Sequence, residues 1–140
     1  MSGTNVELVR LGIDATNRRD LATLEAMWTE DGEFRSTFAA SEGRVFRGRQ
    51  RFRDFFDALD EVFDDIRLEV GEITDVDEDR LIAVLRTSGR GKGSGVNVEQ
   101  RNWTVWTFVD SKIARIDSYM DRTEALEAVG LSEQDAHADS

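Results

Sequence analysis

Residues 99–121, EQRNWTVWTFVDSKIARIDSYMD, constrain this chain most, because they read as two strands folded back on each other. Thr104–Val109 is rich in β-branched and aromatic side chains, and Ile113–Met120 alternates in polarity, as a pleated, half-buried surface does. Asp110 and Ser111 stand between them, small polar residues of the kind that a two-residue hairpin turn requires. Such a turn pairs Val109 with Lys112, Phe108 with Ile113, and so on out to Asn102 with Tyr119. One face then carries Trp103, Val105, Ala114, Ile116, Ser118 and Met120, nearly all apolar, and is expected to point inward. The other mixes Trp106, Phe108, Ile113 and Tyr119 with Asn102, Thr104, Arg115 and Asp117, and is expected to meet water or a partner.

The rest of the chain must cover the inward face, and at 140 residues it forms one domain with a sizeable core. A net charge of −11 argues against nucleic acid, whose binding depends on neutralising phosphates with Lys and Arg, and against anionic membranes. The chain has no cysteine, which excludes disulfides, thiolate metal sites and cysteine nucleophiles. Its one histidine, His137, lies in the polar, acidic stretch 132–140, which is expected to be disordered. That leaves no Ser-His-Asp triad and no histidine-rich metal site. The start, MSGTNVE, lacks a targeting pattern and no long apolar run follows, so the expected location is cytoplasmic.

Residues 5–17 have the periodicity of a helix, with Thr4 as cap, Glu7 as its capping-box partner, and Val6, Val9 and Ile13 on one stripe. Asp20 caps a short second helix bearing Leu21, Leu24, Met27 and Trp28. Glu30-Asp31-Gly32 ends it, and Glu33–Phe38 is a candidate strand. Ala39–Gly48 is a connection with a short extended piece at Val45-Phe46. The clearest helix follows, with Phe52, Phe55, Phe56, Leu59, Val62 and Phe63 on one face and Asp54, Asp57, Asp60, Glu61 and Asp64 on the other. Strands are expected over Ile66–Thr74 and Leu81–Thr87, separated by the acidic turn Asp75–Asp79. Gly89–Gly95 is a glycine-rich bend without the spacing of a phosphate loop, and Val96–Glu99 begins the strand that runs into the hairpin. Asp121 caps a last short helix that Gly130 stops. Helices mostly first and antiparallel strands after make an α+β fold.

This order, with several local motifs, resembles the nuclear-transport-factor-2-like cone fold, and SnoaL-like proteins in particular. The matching residues are Asn17-Arg18-Arg19-Asp20-Leu21, Phe46-Arg47-Gly48, Gly93-Ser94-Gly95, Glu99-Gln100-Arg101, Val105-Trp106-Thr107, Lys112-Ile113, Tyr119-Met120-Asp121 and Glu124-Ala125-Leu126. The resemblance covers about residues 5–131. It implies a cone-shaped, curved, mixed but mostly antiparallel sheet wrapped around the N-terminal helices and enclosing a pocket for a small, mostly apolar molecule. It also implies a homodimer, for which the outer sheet face with Trp106, Phe108 and Tyr119 is the expected surface. Members include isomerases, cyclases, epoxide hydrolases and binding proteins, so the fold alone fixes no activity.

Ketosteroid isomerases of this fold use a carboxylate base and an oxyanion hole made by a Tyr and a protonated Asp. The resemblance puts these at about Ser36, Gly12 and the Trp103–Trp106 run, none of which supplies the required group. The acid/base Asp of SnoaL-like cyclases matches Ser118, which is no carboxylate base. Asp117 would reach the pocket only if the register slipped by one residue. Glu99 and Arg101 share one strand face, inward by the register above. They are the catalytic candidates, as an acid–cation pair at the pocket mouth, although a structural ion pair or a strand-end charge at the rim is the favoured reading. Arg101 in the pocket could also hold a ligand carboxylate. Arg44, Arg47, Arg49, Arg51 and Arg53 form a basic cluster, for an anion or for pairing with carboxylates. Trp28, Phe55, Phe56, Arg101, Trp103, Val105, Ile116, Ser118 and Met120 are the expected pocket lining, with plain core as the alternative for the aromatics. The expected function is binding of a small apolar or weakly polar molecule, without metal or organic cofactor. The alternative is an isomerase, cyclase or epoxide hydrolase using Glu99, Arg101 or a nearby Asp.

Overall fold

A computed structural model describes residues 2–37 and 44–131. The expected end of the first strand at Phe38, most of the connection from Ala39, and the tail 132–140 lie outside the described residues. The elements are α1 (Ser2–Asn17), α2 (Leu21–Met27), β1 (Trp28–Ser36), β2 (Arg44–Phe46), α3 (Arg51–Val62), β3 (Phe63–Asp75), β4 (Arg80–Gly91), β5 (Asn97–Val109), β6 (Lys112–Tyr119) and α4 (Arg122–Ala128). The strands form one sheet in the order β2-β1-β6-β5-β4-β3. Every neighbouring pair is antiparallel except β1 and β6, which run parallel. The architecture is the expected α+β arrangement of a curved, mostly antiparallel sheet around N-terminal helices. No described helix is long and apolar enough to cross a membrane.

The Asn17–Leu21 segment explains how the helices are fixed to the sheet. The Asn17 amide donates to the carbonyl of Leu68 and accepts from its N–H, both at 2.9 Å, which ties the end of α1 to the edge strand β3. Arg19 takes a positive φ of 57°, pairs with Asp60 on α3 at 2.9 Å and lies 4.5 Å over the Phe56 ring. Asp20 caps α2 by accepting from the Thr23 N–H at 3.1 Å. The expected cap at Thr4 is not found, because α1 begins at Ser2 and Thr4 lies within it.

Two helices pass directly into strands. Trp28 closes α2 in an extended conformation and opens β1, so Glu30-Asp31-Gly32 belongs to β1 and not to a helix end. Phe63 does the same between α3 and β3, while Val62 is 43% exposed, so neither completes the apolar helix face expected of them. β1 is irregular between Trp28 and Glu33. A Cβ at Gly32 would stand 2.8 Å from Trp28 Cε3 and 3.0 Å from the Ala114 carbonyl, so no other residue fits there. Carbonyls freed by this irregularity are met by Arg51, which is 1% exposed. Its guanidinium donates to the carbonyls of Thr29, Glu30 and Gly32 at 3.1, 3.0 and 2.9 Å, with Glu25 at 3.6 Å. One member of the basic cluster is therefore a buried brace. Arg47 instead pairs with Glu33 at 3.7 Å, and Arg44 stacks on Phe46.

The hairpin turn is as expected, but the register beyond it is not. Asp110 and Ser111 both have positive φ, 50° and 64°, the backbone of a two-residue hairpin turn. Val109 pairs with Lys112 and Phe108 with Ile113. The next pair is Thr107 with Arg115, which leaves Ala114 as a bulge, and pairing then runs to Trp103 with Tyr119. Ile113 and Ile116, an odd number apart, consequently both face inward, and Asn102, Thr104, Trp106 and Phe108 share that face. Trp106 is 1% and Phe108 4% exposed, in the core with Ile13, Trp28, Phe52 and Leu81. They are not the outward aromatics that a dimer surface was expected to use. Trp103 and Val105 face the other way, where Val105 joins Ile82, Ala125, Leu126 and Val129 beneath α4, with Trp103 and Tyr119 packed alongside. The sheet thus has apolar partners on both faces, which is why the more apolar side of the hairpin was not the inner one.

Candidate functional site

Between the concave face of the sheet and the N-terminal helices lies a cavity of about 90 Å³. Its apolar wall is built by the Phe-rich face of α3 (Phe52, Phe55, Phe56, Leu59), by Trp28 and Phe34 from β1, and by Trp106, Ile113 and Ile116 from the hairpin. The rings interlock: Phe34 lies 5.1 Å from Phe46 and from Phe55, and 5.6 Å from Trp28. Their edge-to-face and offset contacts hold the wall in shape. The remaining lining includes Thr16, Ser36, Thr87, Asn102, Thr104 and Ser118, which are neutral, and Arg35. Arg35 reaches towards Asp117 at 3.9 Å.

Several of these polar groups are committed to the fold. Trp106 Nε1 donates to Thr104 Oγ1 at 2.7 Å, and that hydroxyl donates to the Ala83 carbonyl at 2.6 Å. Thr16 donates to the Gly12 carbonyl at 2.8 Å. Asn102, 4% exposed, donates to Thr37 Oγ1 at 2.7 Å and makes a long contact of 3.6 Å with Met120 Sδ.

The positions that matched the family's acid/base groups do converge. Gly12, Ser36, Thr104 from the Trp103–Trp106 run, and Ser118 all line this one cavity, and none of them presents an ionisable group. Asp117 lies opposite Val105 and is held on the outer face by Arg115 Nε at 2.7 Å. It does not enter the cavity, so the one-residue ambiguity resolves against it. That hydrogen bond also raises the Arg115 pKa above its usual value. Beside them Tyr119 is pushed above the usual phenol range, first by burial and then by the Asp117 charge.

Of the expected lining, Trp28, Phe55, Phe56, Ile116 and Ser118 stand on the cavity. Arg101 and Trp103 do not, because the bulge at Ala114 puts their strand face outward. They line a separate, shallow cleft of about 390 Å³ on the outer face, with Glu69, Glu72, Arg86 and Arg122. Val105 is buried beneath α4. Met120 is 48% exposed and accepts from Gln100 Nε2 at 2.9 Å. Glu99 is exposed on the outer face and lies 3.8 Å from Arg86. Glu99 and Arg101 thus share a face, as expected, but it is not the cavity's, and no acid–cation pair stands at its mouth. Thr87, Asn102 and Trp106 line the cavity without having been expected there. The alternation of Asn102, Thr104, Trp106 and Phe108, in step with Leu81, Ala83, Leu85 and Thr87 on β4, was the available signal. Among the described residues no group of three or more His, Asp or Glu is placed to hold a metal ion.

A family described as a SnoaL-like domain matches residues 9–116 of the chain. No curated protein matches it. Among solved structures, a nuclear-transport-factor-2-like protein of unknown function from Burkholderia pseudomallei is 18% identical, with 91% of this chain and 98% of that one covered and a TM-score of 0.72. A hypothetical protein with a ketosteroid isomerase-like fold from Catenulispora acidiphila, in complex with trimethylamine, is 16% identical over 89% and 93% of the chains, with a TM-score of 0.70. A Mycobacterium tuberculosis protein in complex with estradiol-17beta-hemisuccinate is 14% identical over 84% and 94%, with a TM-score of 0.68. At such identities these likenesses speak to the fold alone.

Proposed function

The chain belongs to the SnoaL-like domain family, and from that premise we propose that it binds a small apolar or weakly polar molecule in the concave cavity. The observation that carries this reading is the lining itself. It is an aromatic and aliphatic wall with a few neutral polar groups, the composition of a binding site for an uncharged organic molecule. Ser36 and Ser118 bring hydroxyls to the lining, and neither is a proton-transfer group with a pKa near neutrality. Proteins of the same fold with small organic molecules bound lend the reading support.

Size limits the occupant. The cavity, at about 90 Å³, is smaller than the roughly 150 Å³ apolar void that takes up benzene. A larger molecule enters when Phe55, the half-buried ring of the wall, swings aside or α3 lifts. The chain is further proposed to form a homodimer across the outer sheet face. There, Arg86, Arg101 and Arg122 alternate with Glu69 and Glu72 around Trp103, a patch complementary to itself under a two-fold axis. Native mass spectrometry of gently purified protein tests both. The expected result is a dimer carrying a discrete extra mass, which is lost when Gly12→Leu fills the cavity. A monomer, or an adduct that Gly12→Leu retains, contradicts the corresponding part.

A further inference from the structure

We propose that the outer cleft is a second binding site, for a small aromatic carboxylate, and that this ligand and a second copy of the chain exclude one another there. Three adjacent strands build it. Glu69, Arg86 and Arg101 stand in one row across β3, β4 and β5, and Val84 and Trp103 stand in the next. Between Val70 and Ile73, β3 sets two residues, Gly71 and Glu72, against the single Val84, a bulge that interrupts the ladder. Gly71 brings no side chain to this spot, where a Cβ would lie 3.4 Å from the Val84 carbonyl and 3.7 Å from Val84 Cβ. The missing side chain leaves the floor of the cleft open, and the half-buried Trp103 forms a wall beside it. At about 390 Å³, against the roughly 150 Å³ that holds benzene, the cleft has the room for an aromatic ring that the concave cavity lacks.

The charges beside that wall favour an anion. Arg86 and Arg101 are directly opposite one another, where like charges repel. Arg86 leans to Glu99 at 3.8 Å, Arg122 is engaged by Glu72 at 3.3 Å, and Glu69 stands on the far side of Arg86. Among the described residues Arg101 makes no ion pair or hydrogen bond. Three arginines against two glutamates leave the lining one positive charge, on a chain whose net charge is −11. A carboxylate between Arg86 and Arg101 relieves their repulsion and can accept two parallel hydrogen bonds from a guanidinium fork. Trp103 is two residues from Arg101 on the same strand face, about 7 Å along it, and offers its indole to the ligand's ring. A ligand with several negative charges is repelled by the field of the whole chain, which selects a monoanion with an apolar body. The residues it occupies are those proposed above to meet a second copy, so ligand and partner cannot share them. The exclusion presupposes that dimer, whereas the site itself does not.

The test uses naphthoate, its neutral analogue naphthylmethanol, and cyclohexanecarboxylate, which keeps the charge and lacks the aromatic ring. The naphthyl probes are too large for the concave cavity of about 90 Å³. Binding is followed by NMR through the indole N–H signals of the chain's three tryptophans. Trp103 reports on the cleft, while Trp28 and Trp106 line the concave cavity and serve as internal controls. Naphthoate is expected to shift Trp103 alone, with each of the other two probes at least fivefold weaker. Arg101→Gln is expected to weaken naphthoate about tenfold, the worth of a charge-assisted hydrogen bond, and to leave naphthylmethanol unchanged. Gly71→Leu, which fills the floor, is expected to abolish binding of all three. Unchanged Trp28 and Trp106 signals in both variants show an intact fold. In sedimentation velocity, saturating naphthoate is expected to convert dimer to monomer, and sodium chloride at the same ionic strength to leave the dimer in place. Equal binding of naphthoate and naphthylmethanol, or an Arg101→Gln variant that binds naphthoate as well as the native chain does, overturns the site and leaves the reading of the concave cavity standing. A dimer that persists with Trp103 saturated overturns the exclusion. A chain already monomeric without ligand refutes the proposed dimer and the exclusion with it, and the Trp103 shifts then decide the site alone.

Discussion

Replacing Trp106 and Trp103 separately by alanine tests the register that places the cavity. Trp106 is 1% exposed and packs beside Phe108 in the main core. Truncating a buried tryptophan costs about 3–5 kcal/mol through lost burial and the void left behind. Trp106→Ala also strips Thr104 Oγ1 of its 2.7 Å donor, worth roughly another 1 kcal/mol. Trp103 is only partly buried at the edge of the α4 cluster and makes no hydrogen bond of this kind, so its loss should cost about 1–2 kcal/mol. With a urea m-value of about 2 kcal/mol/M, Trp106→Ala lowers the unfolding midpoint by ~2–3 M and Trp103→Ala by ~0.5–1 M. Since domains are stable by only ~5–15 kcal/mol, the first variant should sit close to its folding limit. Trp106→Phe, which keeps most of the ring, gives a measurable intermediate loss of about 2 kcal/mol. The assay is urea denaturation followed by far-ultraviolet circular dichroism. A larger loss at Trp103 than at Trp106 would refute the bulge at Ala114 and with it the assignment of the concave face.

Three further outcomes follow from the same geometry. Arg51→Met keeps the side-chain stem but leaves the carbonyls of Thr29, Glu30 and Gly32 without their donor. A loss of about 3–5 kcal/mol is expected by chemical denaturation, whereas a neutral effect would mean that the guanidinium reaches water. Tyr119 is the chain's one tyrosine, and burial followed by the Asp117 charge raises its pKa. Its phenolate absorbance should therefore titrate with a midpoint above 10. A raised folded-state pKa means that this contribution to stability is complete below the unfolded value and is lost as pH rises through the folded one. Alkaline unfolding should thus ease in Tyr119→Phe, and a midpoint at the free-phenol value would contradict the burial. At Gly12 an added Cβ meets only ordinary contacts, 3.6 Å from Ile113 Cδ1 and 3.8 Å from Trp106 Cη2. Gly12→Ala should accordingly raise stability by up to about 1 kcal/mol through helix propensity, and calorimetry showing destabilisation would mean that the floor of the cavity is tighter than these contacts.

Much of the fold was legible because local signals agreed with one another. Asp20 and Asp121 cap the helices they precede. The Phe periodicity gives α3 its buried face, and Asp110-Ser111 makes the turn. The cavity was half legible. Trp28, Phe55 and Phe56 sit on strong periodic patterns and were found. Ile116 and Ser118 were assigned the correct face because they lie beyond the bulge on β6. The same bulge inverted everything assigned on β5 by pairing outward from the turn, which put Trp103, Val105, Glu99 and Arg101 inside and Trp106 outside. A single unpaired residue is invisible to a pattern of period two. Here both faces of the hairpin are apolar, since α4 covers one and the helices cover the other, so composition could not reveal the slip. Arg51 stood in the sequence as one of five clustered arginines, for an anion or for carboxylates, because nothing in its neighbours announces that β1 is irregular at Gly32.

The most direct measurement is a crystal structure of the protein as gently purified from cells. The account predicts density for a small molecule against Trp106 and Ile116 within the concave cavity, with Phe55 turned aside to admit it. Density in the outer cleft beside Arg101 and Trp103, with the concave cavity empty, would contradict it.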